Sequence, residues 1–193
     1  MNMEMPSRET LFRLLLELSY ETRSVVLASG NASNEYVDCK QTALHAQGAW
    51  ALGHHLYALV SQIEEETGLL SHGVGGMSIG ADPLATATSL AALSQGRSLP
   101  AYLVRKEPKR HGTQEFLEGL KNIPAGANVV MVEDVVTTGG STLKAAAHVR
   151  AAGLNPIGVA VIIDRECGGM QNLKDNNLHA KALFQLSQFR VAR

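Results

Sequence analysis

The chain has 193 residues, with 17 Lys and Arg against 18 Asp and Glu for a formal net charge of -1. Hydrophobic residues make up 45% and charged residues 18%, globular proportions that exclude a disordered chain; near-neutrality excludes a broadly basic nucleic-acid surface, and 5% aromatic content excludes a base-stacking platform. No apolar run approaches the roughly 18–20 residues of a membrane span, and Met1-Asn2-Met3-Glu4-Met5-Pro6 lacks the basic and apolar regions of a secretory signal. Cys39 and Cys167 lie far apart and form no CxxC, so both read as reduced thiols of a cytoplasmic protein.

In chain order, residues 11–18 have the apolar spacing of a helix, ahead of the turn signal Ser29-Gly30. Residues 35–39 form a short β-prone run. The spacing predicts a helix over about 46–66, stopped by Gly68. A Gly-rich segment, 73–83, opens an Ala- and Leu-rich helix over about 84–93. Residues 100–104 read as a buried strand that runs into a charge cluster, and 128–132, β-branched and apolar, as a stronger one. A helix is predicted over 141–152, closed by Gly153, with another buried strand over 157–163 and a terminal strand over 182–186. Strand, helix, strand with apolar runs on both sides is a βαβ unit, which implies an α/β fold with a parallel sheet and helices on both faces. With no repeat, linker or low-complexity segment, residues 1–193 read as a single domain, with a small N-terminal hood over about 1–45.

The most informative stretch is Val129-Val130-Met131-Val132-Glu133-Asp134-Val135-Val136-Thr137-Thr138-Gly139-Gly140-Ser141-Thr142. An apolar strand carries two adjacent carboxylates to its C-terminal end, a Thr/Gly/Ser turn follows, and a helix begins. Ligands of open α/β sheets bind outside the carboxyl ends of strands, glycines let backbone N–H groups come close, and a helix N-terminus favours an anion. A phosphate monoester suits that loop. Glu133 and Asp134 need a different partner, and ribose hydroxyls are suitable donors to them, so the site as a whole fits a phosphorylated ribose. There is no Gly-Lys-Ser/Thr of an NTPase and no GxGxxG of a dinucleotide fold.

The charge cluster, Arg105-Lys106-Glu107-Pro108-Lys109-Arg110-His111-Gly112-Thr113, packs four fixed cations and a histidine into seven residues. A loop of this kind can close on a polyanion and neutralise charge on a leaving group, with Arg as a fork and Lys as a point charge. His54-His55, His45, His72, His148 and Cys39 have no ligand-like spacing and read as structural residues.

The run from Val132 to Thr142 resembles the signature of type I phosphoribosyltransferases, which bind phosphoribosyl pyrophosphate (PRPP), and its Thr-Thr-Gly-Gly form resembles orotate phosphoribosyltransferases in particular. Arg-Lys-Glu-x-Lys-x-His-Gly, from Arg105 to Gly112, is similar to that family's catalytic loop in order and spacing. The resemblance runs from about Ser29 to Glu166. It implies the type I phosphoribosyltransferase fold and a transfer of phosphoribosyl from PRPP to orotate, giving orotidine 5′-monophosphate and pyrophosphate. It also implies site residues. Arg105, Lys109 and His111 would contact pyrophosphate, with Lys106 serving the neighbouring site of a homodimer. Glu133, Asp134 and the loop Val135, Val136, Thr137, Thr138, Gly139, Gly140 and Ser141 would hold PRPP, and Thr137 with Arg165 would hold orotate. Magnesium (Mg2+) would arrive bound to PRPP, with no direct protein ligand. Gly75–Pro83 is similar to the family's pyrophosphate-side loop, which often contains a non-proline cis peptide.

Ser29-Gly30-x-x-Ser33-x-x-Tyr36 resembles the family's hood segment, with one departure: Ala28 and Asn31 stand where many relatives carry a basic residue, and Lys40 is the candidate to compensate. A purine or other base phosphoribosyltransferase and a non-catalytic PRPP-sensing regulator share the phosphate loop. The intact basic loop disfavours both, and near-neutrality disfavours the regulator.

Overall fold

In the computed structural model, which describes residues 5–26, 32–108 and 116–192, Ser7 starts helix α1 (Arg8–Leu18) by accepting a hydrogen bond from the Thr10 N–H at 3.1 Å. Strands β1 (Tyr20–Val26) and β2 (Ala32–Val37) follow as an antiparallel pair, so the chain after Leu18 is extended. A short helix α2 (Lys40–Ala43) leads into α3 (Ala46–Thr67), which Gly68 ends at φ 69°. Next come β3 (Val74–Met77), α4 (Ala81–Ser94), β4 (Ala101–Val104) and the two-residue β5 (Leu117–Glu118). The C-terminal half is β6 (Asn128–Val136), α5 (Gly140–Ala151), β7 (Asn155–Asp164), α6 (Gly169–Asp175), β8 (His179–Gln185) and α7 (Leu186–Val191).

The main sheet has the order β5-β4-β3-β6-β7-β8, and only β5 runs antiparallel to its neighbour. The apolar runs read in the sequence are its central strands. Period-two alternation splits them between two cores: Val130, Val132, Ala160 and Ile162 face α1, α3 and α4, while Val129, Met131, Val159 and Val161 face α5 and α6. Each Leu, Ile or Val sealed in this way contributes about 1.5–3 kcal/mol over its exposed state.

The rings of His54 and His55 meet backbone carbonyls. The ring of His54 lies 2.8 Å from the Trp50 carbonyl, and that of His55 3.0 Å from the Pro6 carbonyl. The buried Glu64 is paired instead with Arg97, at 2.6 and 2.7 Å, and accepts from the Ser71 N–H at 2.7 Å. Burial alone would raise the Glu64 carboxyl, but these donors overcome it and hold it below its ordinary value. Among the described residues no helix is long and apolar enough to cross a membrane.

Candidate active site

The sheet order reverses between β3 and β6. From β3 the chain crosses through α4 to β4 on one side; from β6 it crosses through α5 to β7 on the other. The loops leaving β3 and β6 therefore open away from each other and leave a crevice at the carboxyl ends of the strands, the place where α/β sheets bind ligands.

On the β3 side, the Ser78–Ile79 peptide is cis, the Ser78 N–H donates to the Val104 carbonyl at 2.8 Å, and the Ser78 hydroxyl donates to Asp82 Oδ1 at 2.8 Å. Gly80 faces Asp134 so closely that a Cβ there would lie 3.0 Å from Asp134 Oδ2. The Gly-rich segment thus contains strand β3, whose short apolar run its glycines hide in the sequence.

On the β6 side, the pleat separates the two adjacent acids. Asp134 is half-buried at the mouth of the crevice, where its Oδ1 accepts from the Val135 N–H at 2.9 Å. Glu133 turns the other way, into the core beneath α5, and its Oε2 accepts from the Thr142 hydroxyl at 2.8 Å. Burial, with the charge of Asp134 added, pushes the Glu133 carboxyl up to about 8. Thr137 and Thr138 follow, and Gly139 takes φ 79° to start α5 with its free N–H groups at the crevice. The turn is braced from behind: the Gly169 N–H donates to the Thr137 carbonyl at 3.1 Å and Asn172 Nδ2 to the Thr138 carbonyl at 2.8 Å.

Arg165 comes directly beside this turn, because its N–H donates to the Val136 carbonyl at 2.9 Å. Its side chain is buried, with Nη2 3.4 Å from the Glu35 carbonyl of β2. The hairpin thus touches the end of β7, and buried Cys39 meets the end of β6, its Sγ 3.9 Å from the Asp134 carbonyl. Next to Cys39, Lys40 pairs with Asp38 at 2.5 Å, and that bond, helped by the field of Asp134, raises the ammonium above its ordinary value.

The basic loop leaves from β4 and returns as β5, and the Arg105 N–H donates to the Phe116 carbonyl at 2.7 Å where the two stems meet. Arg105, Lys106 and Glu107 join Ser78 and Ile79 around a cleft of about 320 Å³. Arg105 pairs with Glu118 at 3.2 Å, and Phe116 stacks on His148 of α5 with ring centroids 3.8 Å apart. Lys109 and His111, expected at pyrophosphate, and Ala28 and Asn31 of the hood lie outside the described residues. The arrangement brings together a helix start whose N–H groups suit an anion, a half-buried carboxylate, a buried guanidinium and the stem of a cationic loop. Two parts were missed in the sequence. The brace from α6 had a signal, the pair Gly168-Gly169, whereas the contacts of Glu35 had none.

A phosphoribosyl transferase domain is matched over residues 80–183. The chain is 40% identical over 179 residues to an orotate phosphoribosyltransferase of Nostoc sp., covering 93% of this chain and 83% of that one. It is 38% identical over 189 residues to an orotate phosphoribosyltransferase of Aquifex aeolicus, covering 96% and 99%. Among solved structures, it is similar to Mycobacterium tuberculosis orotate phosphoribosyltransferase in complex with PRPP, at a TM-score of 0.74 and 32% identity, covering 96% of this chain and 99% of that one.

Proposed function

The chain belongs to the orotate phosphoribosyltransferases, and from that premise we propose how its own residues carry out the transfer of phosphoribosyl from PRPP to orotate in pyrimidine nucleotide synthesis. The carrying observation is the meeting, at one crevice, of the α5 start, Asp134 and buried Arg165. In the reaction the C1–oxygen bond to pyrophosphate breaks with its electron pair on the leaving group. A ring nitrogen of orotate forms the new bond to C1, and its proton is lost.

The backbone N–H groups from Thr137 to Ser141 cradle the 5′-phosphate, with the hydroxyls of Thr137, Thr138 and Ser141 as further donors. Asp134 accepts from the ribose hydroxyls, and Glu133 behind it holds the loop to α5 through Thr142. Arg165 pairs with the orotate carboxylate, with Thr137 beside it. Orotate is already an anion, so it needs positioning more than activation. Arg105, Lys106, Lys109 and His111 gather on pyrophosphate as charge builds there. Magnesium would come bound to the oxygens of PRPP and needs no ligand from protein, with Asp134 assisting through the ribose hydroxyls it accepts from. Bound with PRPP, magnesium would neutralise the pyrophosphate.

The enzyme works as a homodimer with shared sites. Ile79, Pro83, Thr86, Leu90 and Leu93 recur at alternating spacings of four and three along α4 and its entry. Ile79, Leu90 and Leu93 are respectively 71%, 60% and 62% exposed, an apolar stripe beside the pyrophosphate loop that a second copy would cover. We place the reaction in the cytoplasm, in keeping with Cys39 and Cys167 as free thiols. The test is turnover with PRPP and magnesium and each of orotate, adenine, hypoxanthine and uracil. Orotate absorbance should fall, and turnover of a purine in its place would overturn the assignment.

A further inference from the structure

The C-terminal helix α7 reaches both sides of Arg165. At its start, Glu166, in the left-handed region at φ 60°, accepts from the Ser187 N–H at 2.8 Å and from the Ser187 hydroxyl at 3.1 Å. A capping box between Gln185 and Gln188 closes the same turn. Near the helix end, Arg190 grips the Glu35 carboxylate, with Nε 3.0 Å from both oxygens and Nη2 2.8 Å from Oε2. The Tyr20 hydroxyl donates to the same carboxylate at 2.7 Å. Between the two ends, Phe189 is fully buried against Phe12 and Tyr20, with centroids at 4.7 and 5.6 Å, so the helix cannot slide without breaking the core.

A closed ring results. Arg165 leads by one peptide bond to Glu166, Glu166 to Ser187, α7 to Arg190, Arg190 to the Glu35 side chain, and the Glu35 carbonyl back to Arg165 Nη2. The side chain and the carbonyl of Glu35 thus serve different partners. Arg190 sets where strand β2 lies over the end of β7, and the carbonyl carried by that strand is what the Arg165 guanidinium meets. Glu35 is held below its ordinary carboxylate value chiefly by Arg190, with Arg165 contributing through its charge, so it stays ionised and the ring stays charged through neutral pH.

We propose that Arg190 and Glu35 are positioning residues for the base substrate: they fix the aim of Arg165, so that α7, remote from the phosphate loop, sets recognition of the orotate carboxylate. This rests on Arg165 as the orotate partner. The ring joins the phosphate turn through backbone, the Arg165 N–H on the Val136 carbonyl, which changes at the Arg190 and Glu35 side chains leave in place, so PRPP should be unaffected. The bidentate grip depends on the guanidinium fork, which an ammonium cannot reproduce.

The experiment measures KM for orotate and for PRPP separately, with kcat and Tm, for Arg165→Ala, Arg190→Ala, Arg190→Lys and Glu35→Gln. Arg190→Ala is expected to raise the orotate KM about fivefold, the scale of an exposed but bidentate ion pair, with the PRPP KM unchanged. Arg190→Lys should fall between Arg190→Ala and the parent, and Glu35→Gln should act like Arg190→Ala. If Arg165→Ala leaves the orotate KM unchanged, the role of Arg165 fails. If Arg165→Ala raises it while Arg190→Ala does not, only the positioning role fails. Equal rises in both KM values with a lowered Tm would show α7 to be a structural clasp and overturn the proposal.

Discussion

Glu133 and Asp134 are neighbours in the chain and opposites in the fold. In the sequence they read as one acidic pair, because nothing local tells which way a strand will present its first side chain. The choice follows from the packing of α5 on one face of β6 and the entry to α4 on the other, which sends Asp134 to the crevice and Glu133 to Thr142. Sealing Glu133 in has a measurable cost. An acid whose native value is raised takes up a proton on folding, so its contribution is most favourable below its ordinary value of 4.5 and is lost as pH rises toward about 8. The slope inside that window is on the order of 1.4 kcal/mol per pH unit at most. Glu133→Gln keeps an oxygen for the Thr142 hydroxyl and removes the ionisation. Its stability, followed by chemical denaturation from pH 5 to pH 8, should decline less with pH than that of the parent chain. Parallel profiles would mean that Glu133 is ionised in the folded protein.

At the scale of elements, the strands and helices with unbroken apolar runs were legible: β4, β6, β7, α3 and α5 lie within a few residues of where composition and spacing put them. Those that escaped notice share a physical reason. β3 is half glycine, and β1 lies off the main sheet with residues 21–24 exposed, paired with β2, of which the β-prone run at 35–39 had marked the end. α2, α6 and α7 are too short to show a helical period and exist through the contacts they make. The turn at 137–141 and the helix after it were legible because their signal is local, in consecutive residues. The Arg165–Glu35 contact was not, spanning 130 positions of chain. The basic loop stem carries its own prediction. Lys106 is exposed on the cleft shared with Ser78 and Ile79, so Lys106→Ala should leave Tm unchanged and lower kcat by about 10²-fold or more, as loss of one charge-stabilising donor does. Steady-state turnover with thermal melting checks it, and near-normal kcat would remove Lys106 from the reaction.

For the whole molecule, the exposed stripe along α4 and the cleft beside it lie on one continuous surface, since Ile79 belongs to both. A second copy covering the stripe would bring its own Lys106 near the first copy's pyrophosphate loop, which is the geometry a shared site requires. Mixing Lys106→Ala with Asp134→Asn, each inactive alone, should restore about a quarter of wild-type activity, since half of randomly paired dimers then hold one intact site of two. No recovery, or a monomer by sedimentation, would count against sharing. Leu90→Arg, which places charge in the stripe, should shift the protein to monomers and abolish turnover together.

The pairing of β4 with β5 bears on the energetics of each catalytic cycle. Arg105 and Phe116 are already hydrogen-bonded, and Phe116 is already stacked on His148 of α5. Joining the ends of a loop is an entropic penalty that grows with the logarithm of its length, and here it falls on folding, once in the lifetime of the chain. A change that unpairs the stem would shift that penalty from folding onto each catalytic cycle.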